Sequence, residues 1–138
     1  MTAYLDSSVV LRVLLSQEGA LPEWDRILRP VASVLVEVEC LRTLDRTRIR
    51  ESLPDREIAL CREAVYRIME SIEVVDMNRA ILHRAAQPLP TPLGTLDAMH
   101  LATALTWRDS NGEDLILATH DQALAVAARA LGLLVIGV

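Results

Sequence analysis

Five short runs rich in Val, Ile and Leu recur along this chain, separated by longer stretches with helical spacing, and that alternation limits the fold more than any other feature. The runs are Thr2 to Leu5, Val31 to Val34, Ile72 to Val75, Leu115 to Ala118 and Leu133 to Ile136, and each reads as a buried strand. The helical stretches are Val9 to Leu15, Leu35 to Arg50, Arg56 to Glu70, Arg79 to Ala86, Leu96 to Trp107 and Gln122 to Leu131. Repeated strand and helix predict an α/β fold, a parallel sheet wrapped by helices through right-handed crossovers. Local punctuation agrees: Pro54 fits the first turn of a helix, Gly132 a helix C-terminus, and Asn111-Gly112 a turn after Trp107. The connection Gln87 to Thr95 carries Pro88, Pro90, Pro92 and Gly94, which predicts a surface loop beside whatever the domain binds.

A chain of 138 residues fits one domain, 1–138, because single cores usually run to about 100–150 residues. Hydrophobic residues make up 51% of it, enough to offset ordering entropy, whereas aromatic residues make up 3% with no Phe. The core must be aliphatic, which suits a helix-covered parallel sheet, and aromatic platforms for unpaired bases are not expected. All 14 residues counted as Lys or Arg are Arg. Without Lys there is no Walker A phosphate loop and no Schiff-base nucleophile. A net charge of −5 argues against a broad basic coat for nucleic acid, yet leaves room for a nuclease whose carboxylates are neutralised by metal. Cys40 and Cys61 lie in apolar helical stretches without CxxC spacing and read as buried small hydrophobes, not as disulfide or zinc residues. No apolar run approaches the ~18 residues of a membrane span and no basic leader is present, so a cytoplasmic location without membrane contact is expected.

Three carboxylates stand where this topology places ligand sites. Asp6 directly follows the first strand, and Asp121 follows the Leu115 to Ala118 strand across Thr119 and His120. Both fall at carboxyl ends of parallel strands, the edge at which open α/β sheets bind ligands. Asp97 lies in the first turn of the helix leaving the Pro-rich loop, whose N-terminus faces the same edge if the helix runs antiparallel to the next strand. Each has a plainer reading, because Asp6 and Asp121 can cap helices and Asp97 can complement a helix dipole. Their shared location favours a cluster, and clustered carboxylates cannot all ionise cheaply without a cation among them. An oxygen-only set suits Mg²⁺ or Mn²⁺. A fourth acid is expected from the helix after the second strand, where Glu37 and Glu39 flank an apolar face of Val34, Leu35, Val38 and Leu41, and periodicity does not choose between them.

The stretches Tyr4 to Leu11, Ser33 to Glu39, Leu96 to Leu105, and Leu117 to Asp121 with Ala127 to Gly132 together resemble the PIN-domain family, and within it the VapC-type ribonuclease toxins of toxin–antitoxin pairs. The resemblance implies a three-layer α/β/α sandwich with a five-stranded parallel sheet and a Mg²⁺- or Mn²⁺-dependent endoribonuclease site of four acids. On the family pattern Asp6, Asp97 and Asp121 are three of these catalytic and metal-binding acids. The family's glutamate falls six residues after a Ser, so counting from Ser33 selects Glu39 and leaves Glu37 solvated. Ser8 and Thr119 match supporting polar positions. The resemblance also implies an RNA substrate, a VapB-type antitoxin and a homodimer, with the helical hairpin Leu35 to Glu70 as a docking surface.

One departure is that Thr91 to Thr95 carries no Arg for an RNA phosphate, which leaves the Arg42, Arg46, Arg48 and Arg50 run as either a substrate grip or a solvated face. His100, three residues after Asp97, reads as a satisfied core residue before it reads as a general base. His120 is expected to be exposed, His83 has no supporting context, and Trp24 and Trp107 read as packing or interface residues. Two competing readings remain open. A phosphatase with Asp6 as nucleophile is weakened by Ser8 and the lack of Lys, and a non-catalytic PIN-like scaffold binding RNA or protein is weakened by the retention of all four acids.

Overall fold

The computed structural model describes all 138 residues. In chain order it contains β1 (Thr2–Leu5), α1 (Ser7–Leu14), a 3-10 turn (Trp24–Arg26), β2 (Arg29–Ser33), α2 (Leu35–Glu51), α3 (Asp55–Ser71) and β3 (Glu73–Val75). There follow α4 (Arg79–Ala85), α5 (Thr95–Asn111), β4 (Ile116–Ala118), α6 (Gln122–Ala130) and β5 (Leu134–Ile136). The strands form one parallel sheet in the order β3-β2-β1-β4-β5. The strand order reverses between β1 and β4, and the crevice of such a sheet opens at its carboxyl edge there.

Side-chain alternation along β1 builds both layers. Ala3 and Leu5 join a core with Val9 and Val10 of α1, Val36, Cys40 and Leu44 of α2 and Val65 of α3. Tyr4, between them, joins a second core with Leu101, Ala104 and Leu105 of α5 and Leu124, Ala127 and Ala128 of α6. Helix α4 packs on α5. The result is the expected three-layer α/β/α sandwich. Apart from Tyr4 and Trp107, both cores are aliphatic, with Ala lining α5 and α6 where helix and sheet approach closely.

Several boundaries differ from the sequence reading. Strand β2 starts two residues earlier, at Arg29, and ends at Ser33, because Val34 already holds helical angles as the residue before α2. Helix α5 continues past Trp107 to Asn111, so the expected Asn111-Gly112 turn is the end of that helix, closed by Gly112 at φ 64°. Asn111 sits inside it with its amide donating to the Trp107 carbonyl. The inward stripe of α2 is Val36, Cys40 and Leu44, whereas Val38, placed on the apolar face by periodicity, is 56% exposed. Cys61 is half-buried where full burial was expected. Gly132 closes α6 as expected, at φ 81°, with Leu133 N–H bonded to Ala128 and Gly132 N–H to Arg129.

Candidate active site

Asp6 is the residue between β1 and α1, and its carboxylate does two jobs. As N-cap of α1 its Oδ2 accepts from the Ser8 backbone N–H at 3.4 Å, and it also accepts the Ser8 hydroxyl at 2.5 Å and the Thr119 hydroxyl at 2.9 Å. All these bonds fall on Oδ2, which leaves Oδ1 free for another partner. The side chain is 6% exposed, so these donors are what make a buried carboxylate tolerable here. Ser8 and Thr119 then tie the β1 and β4 ends together: Ser8 Oγ accepts from His120 N–H, and Thr119 Oγ1 accepts from Asp121 N–H. Gly137, after β5, lies against the same corner at φ 98°, where an added Cβ would meet the Thr119 carbonyl at 2.6 Å.

Asp121 caps α6 through Oδ1, bonded to Leu124 N–H at 2.8 Å. Capping and site geometry are therefore compatible here, since the helix N-terminus that needs the carboxylate is itself at the ligand edge. Asp97 lies in the first turn of α5. Its pKa is raised, first by burial and then by the negative charges of Asp121, Asp6 and Glu39, with His100 opposing. Four carboxylates from four elements thus bear on one region.

Glu39, from α2, is the glutamate brought into these contacts, and Glu37 takes no part in them. Glu39 Oε2 accepts the Ser7 hydroxyl at 3.1 Å, and Oε1 meets His100 Nε2 at 2.5 Å. His100 is fully buried, and its other ring nitrogen, Nδ1, meets the Tyr4 hydroxyl at 2.8 Å. This residue was undervalued by sequence reasoning. It is indeed a satisfied core histidine, but the group that satisfies it is a candidate site carboxylate. The available signal was the three-residue step from Asp97, which puts both on one side of α5. Burial pulls the His100 pKa down, and the Glu39 bond with the charges of Glu39, Asp6 and Asp97 outweighs it, leaving the pKa raised. Cys40, next to Glu39, is pushed up to about 12 by burial and the charges of Glu39 and Asp6, so it is no nucleophile.

The remaining expectations fare differently. Arg46, Arg48 and Arg50 stand exposed and bond to Thr43, Asp45 and Glu51 on their own helix, an arrangement compatible with either reading of this run. His120 is half-buried instead of exposed, with Nδ1 donating to the Gly137 carbonyl. His83 is exposed and bonds only Gln87. Trp107 is buried, its Nε1–H donating to Glu73 at 2.8 Å with Arg29 over its ring, and so serves packing. No three of the acidic, His or Cys side chains converge closely enough to ligate one ion as they stand. The donor chemistry nevertheless fits a hard divalent cation: all four acids offer oxygen, one oxygen of Asp6 takes no hydrogen bond, and mutual repulsion at Asp97 is what a cation relieves.

An acid-lined carboxyl edge at the strand-order reversal of a small α/β/α sandwich defines a class, and residues 3–130 match the PIN domain. The chain belongs to the PIN domain family. It is 34% identical over 137 residues to Ribonuclease VapC46 of Mycobacterium tuberculosis, covering 96% of this chain and 95% of that protein. Ribonuclease VapC35 of the same species, strain H37Rv, is 34% identical over 139 residues, covering 96% and 94%. Among solved structures, FitAcB from Neisseria gonorrhoeae superposes with a TM-score of 0.75 at 17% identity, covering 98% of this chain and 96% of the other. A toxin-antitoxin complex from Klebsiella pneumoniae gives 0.66 at 16% identity, covering 90% and 91%. Both support the same fold.

Proposed function

We propose that this chain, acting as one domain, is a VapC-type endoribonuclease that hydrolyses RNA phosphodiester bonds with Mg²⁺ or Mn²⁺ held by Asp6, Glu39, Asp97 and Asp121. The observation that carries the reading is the placement of the acids at one sheet edge: Asp6 and Asp121 cap the helices that follow β1 and β4, and His100, on the helix of Asp97, meets Glu39 at 2.5 Å and lies 3.9 Å from Asp6 Oδ1. Relatives named as ribonucleases over nearly the full chain support the substrate class. Held by these four acids, a divalent ion would supply polarisation of the scissile phosphate and a lowered pKa for a water nucleophile. The protein's part is positional. Ser8 and Thr119 hold Asp6 by one oxygen and leave the other without a hydrogen bond, the α6 N-terminus holds Asp121, and Ser7 with His100 holds Glu39.

Partners follow the same reading: a VapB-type antitoxin and a second copy of the chain. A solved neighbour described as a toxin-antitoxin complex, and another described as VapBC-1, support the first. The hairpin of α2 and α3 leaves Val38, Ile49, Leu60 and Tyr66 exposed, apolar surface of the kind partners cover. The test is cleavage of total cellular RNA by purified, antitoxin-free protein with Mn²⁺ or with EDTA, beside Asp97→Asn, with product ends mapped by sequencing. Metal-dependent cuts absent from the variant are expected. No cuts, or equal cuts by the variant, would overturn the catalytic reading in favour of a binding scaffold.

A further inference from the structure

Glu39 comes from a helix in one layer of the sandwich, whereas Asp97 comes from a helix in the other. A carboxylate on the flexible stem of Glu, 22% exposed, needs external restraint to hold a fixed place. The restraint reaches it through the sheet. The Tyr4 hydroxyl, on the β1 side chain that crosses to the α5 layer, bonds His100 Nδ1 at 2.8 Å, and His100 Nε2 meets Glu39 Oε1 at 2.5 Å. Both rings are wholly buried, their planes at 69°. The same Nε2 lies 3.9 Å from Asp6 Oδ1, the oxygen left without a hydrogen bond.

Chemistry fixes the direction of the bond at the Glu39 end. Glu39 Oε1 accepts, so Nε2 must carry a hydrogen. On the other side of the ring the Tyr4 hydroxyl meets Nδ1 at 2.8 Å and anchors it. Ser7 holds the other oxygen of Glu39. Both Glu39 oxygens are therefore engaged by a donor, and each carboxylate oxygen has a second lone pair to offer.

We propose that His100 is a positioning residue: anchored by Tyr4, its Nε2–H orients Glu39 beside Asp6 and so sets the affinity of the site for a divalent cation. The inference rests on the metal-dependent reading of this site and adds a residue to it that touches neither metal nor RNA. Partners of this kind behind a ligand typically change metal affinity by about 10- to 100-fold when removed.

The experiment is calorimetric titration of the RNA-free protein with Mn²⁺ for the wild type, His100→Leu, His100→Gln, His100→Asn and Tyr4→Phe, each checked for a cooperative melt. Gln places an amide N–H where Nε2–H lies, whereas Asn places one near Nδ1. The expected result is Mn²⁺ binding weakened about 10- to 100-fold in Leu and Asn and close to wild type in Gln. Tyr4→Phe, which removes a single oxygen, should weaken binding less than Leu. Nitrogen-15 NMR of the metal-free wild type supplies a readout independent of metal and of folding changes, with hydrogen expected on Nε2. A folded Leu variant with unchanged affinity, an Asn variant as good as Gln, or a ring bare at Nε2 overturns the proposal. If the functional reading itself is wrong, the wild type binds no Mn²⁺, a result visible before any variant is compared and one that removes the proposal with it.

Discussion

At the scale of single residues, the site uses groups that already serve the fold. Asp6 and Asp121 satisfy helix N-termini, so replacing either with a non-capping residue confounds two effects. Asp97 caps nothing through its side chain and is strained by its neighbours, which makes it the clean probe. Burial and three like charges raise its pKa, so its ionised form is worse off folded than unfolded. Asp97→Asn should therefore melt at or above the wild-type temperature in EDTA at neutral pH, by scanning fluorimetry, while losing metal-dependent cleavage. A lower melting temperature would mean that the carboxylate supports the fold. His100 is the opposite case, read in the sequence first as a core residue because burial and function look alike when only the residue type is known. Asp6, Asp97 and Asp121 were legible because position alone, at strand ends and a helix start, marks them. Glu39 was not separable from Glu37 by periodicity, since both flank an apolar face of α2; the family spacing from Ser33 selected it, and in the structure a tertiary partner on α5 sets it apart.

At the scale of elements, two local features carry predictions. Helix α2 ends on Ser52 at φ 50°, a left-handed conformation that costs an L-residue about 1–2 kcal/mol. Ser52→Gly should gain about 0.5–1 kcal/mol after Gly's own entropy cost, read as a higher urea midpoint at unchanged m-value. At the other end of the sheet, Glu73 on edge strand β3 accepts from Trp107 Nε1–H and pairs with Arg29. The Trp107 bond and Arg29 hold its pKa below the usual carboxylate value. A lowered folded pKa contributes stability that is present above the unfolded pKa and lost as pH falls through the folded value. Glu73→Gln should therefore flatten the acid side of a stability-versus-pH curve. With both side chains 41% exposed the effect stays below about 1 kcal/mol. Element order and type were legible because each strand run is short, apolar and bounded. The α2 stripe was misjudged because Val34 and Leu35 belong to the helix entry and not to its regular inner face.

At the scale of the whole molecule, the two layers share one parallel sheet, and the candidate site lies where they meet at its carboxyl edge. A cation bound there cross-links both layers, so binding must stabilise the native state as a unit. Adding Mn²⁺ at about a hundred times its dissociation constant should stabilise by about 2.7 kcal/mol, reversed by EDTA and absent in Asp97→Asn. A melting curve indifferent to Mn²⁺ would deny that the acids hold metal.

The strand order has a consequence in time. β1 is made first but is flanked by β2 and β4, and Asp6 N–H bonds the carbonyl of Ala118, so the central strand waits for residues more than a hundred positions later before its second edge is covered. Contacts of such sequence separation close late and slowly. Asp6, Glu39, Asp97 and Asp121 become neighbours only when that closure occurs, so an incompletely folded chain holds the acids apart. On the ribonuclease reading proposed above, competence would then arrive as the last event of folding, and an inhibitor able to recognise the closed sheet would meet the chain at the moment its site is assembled.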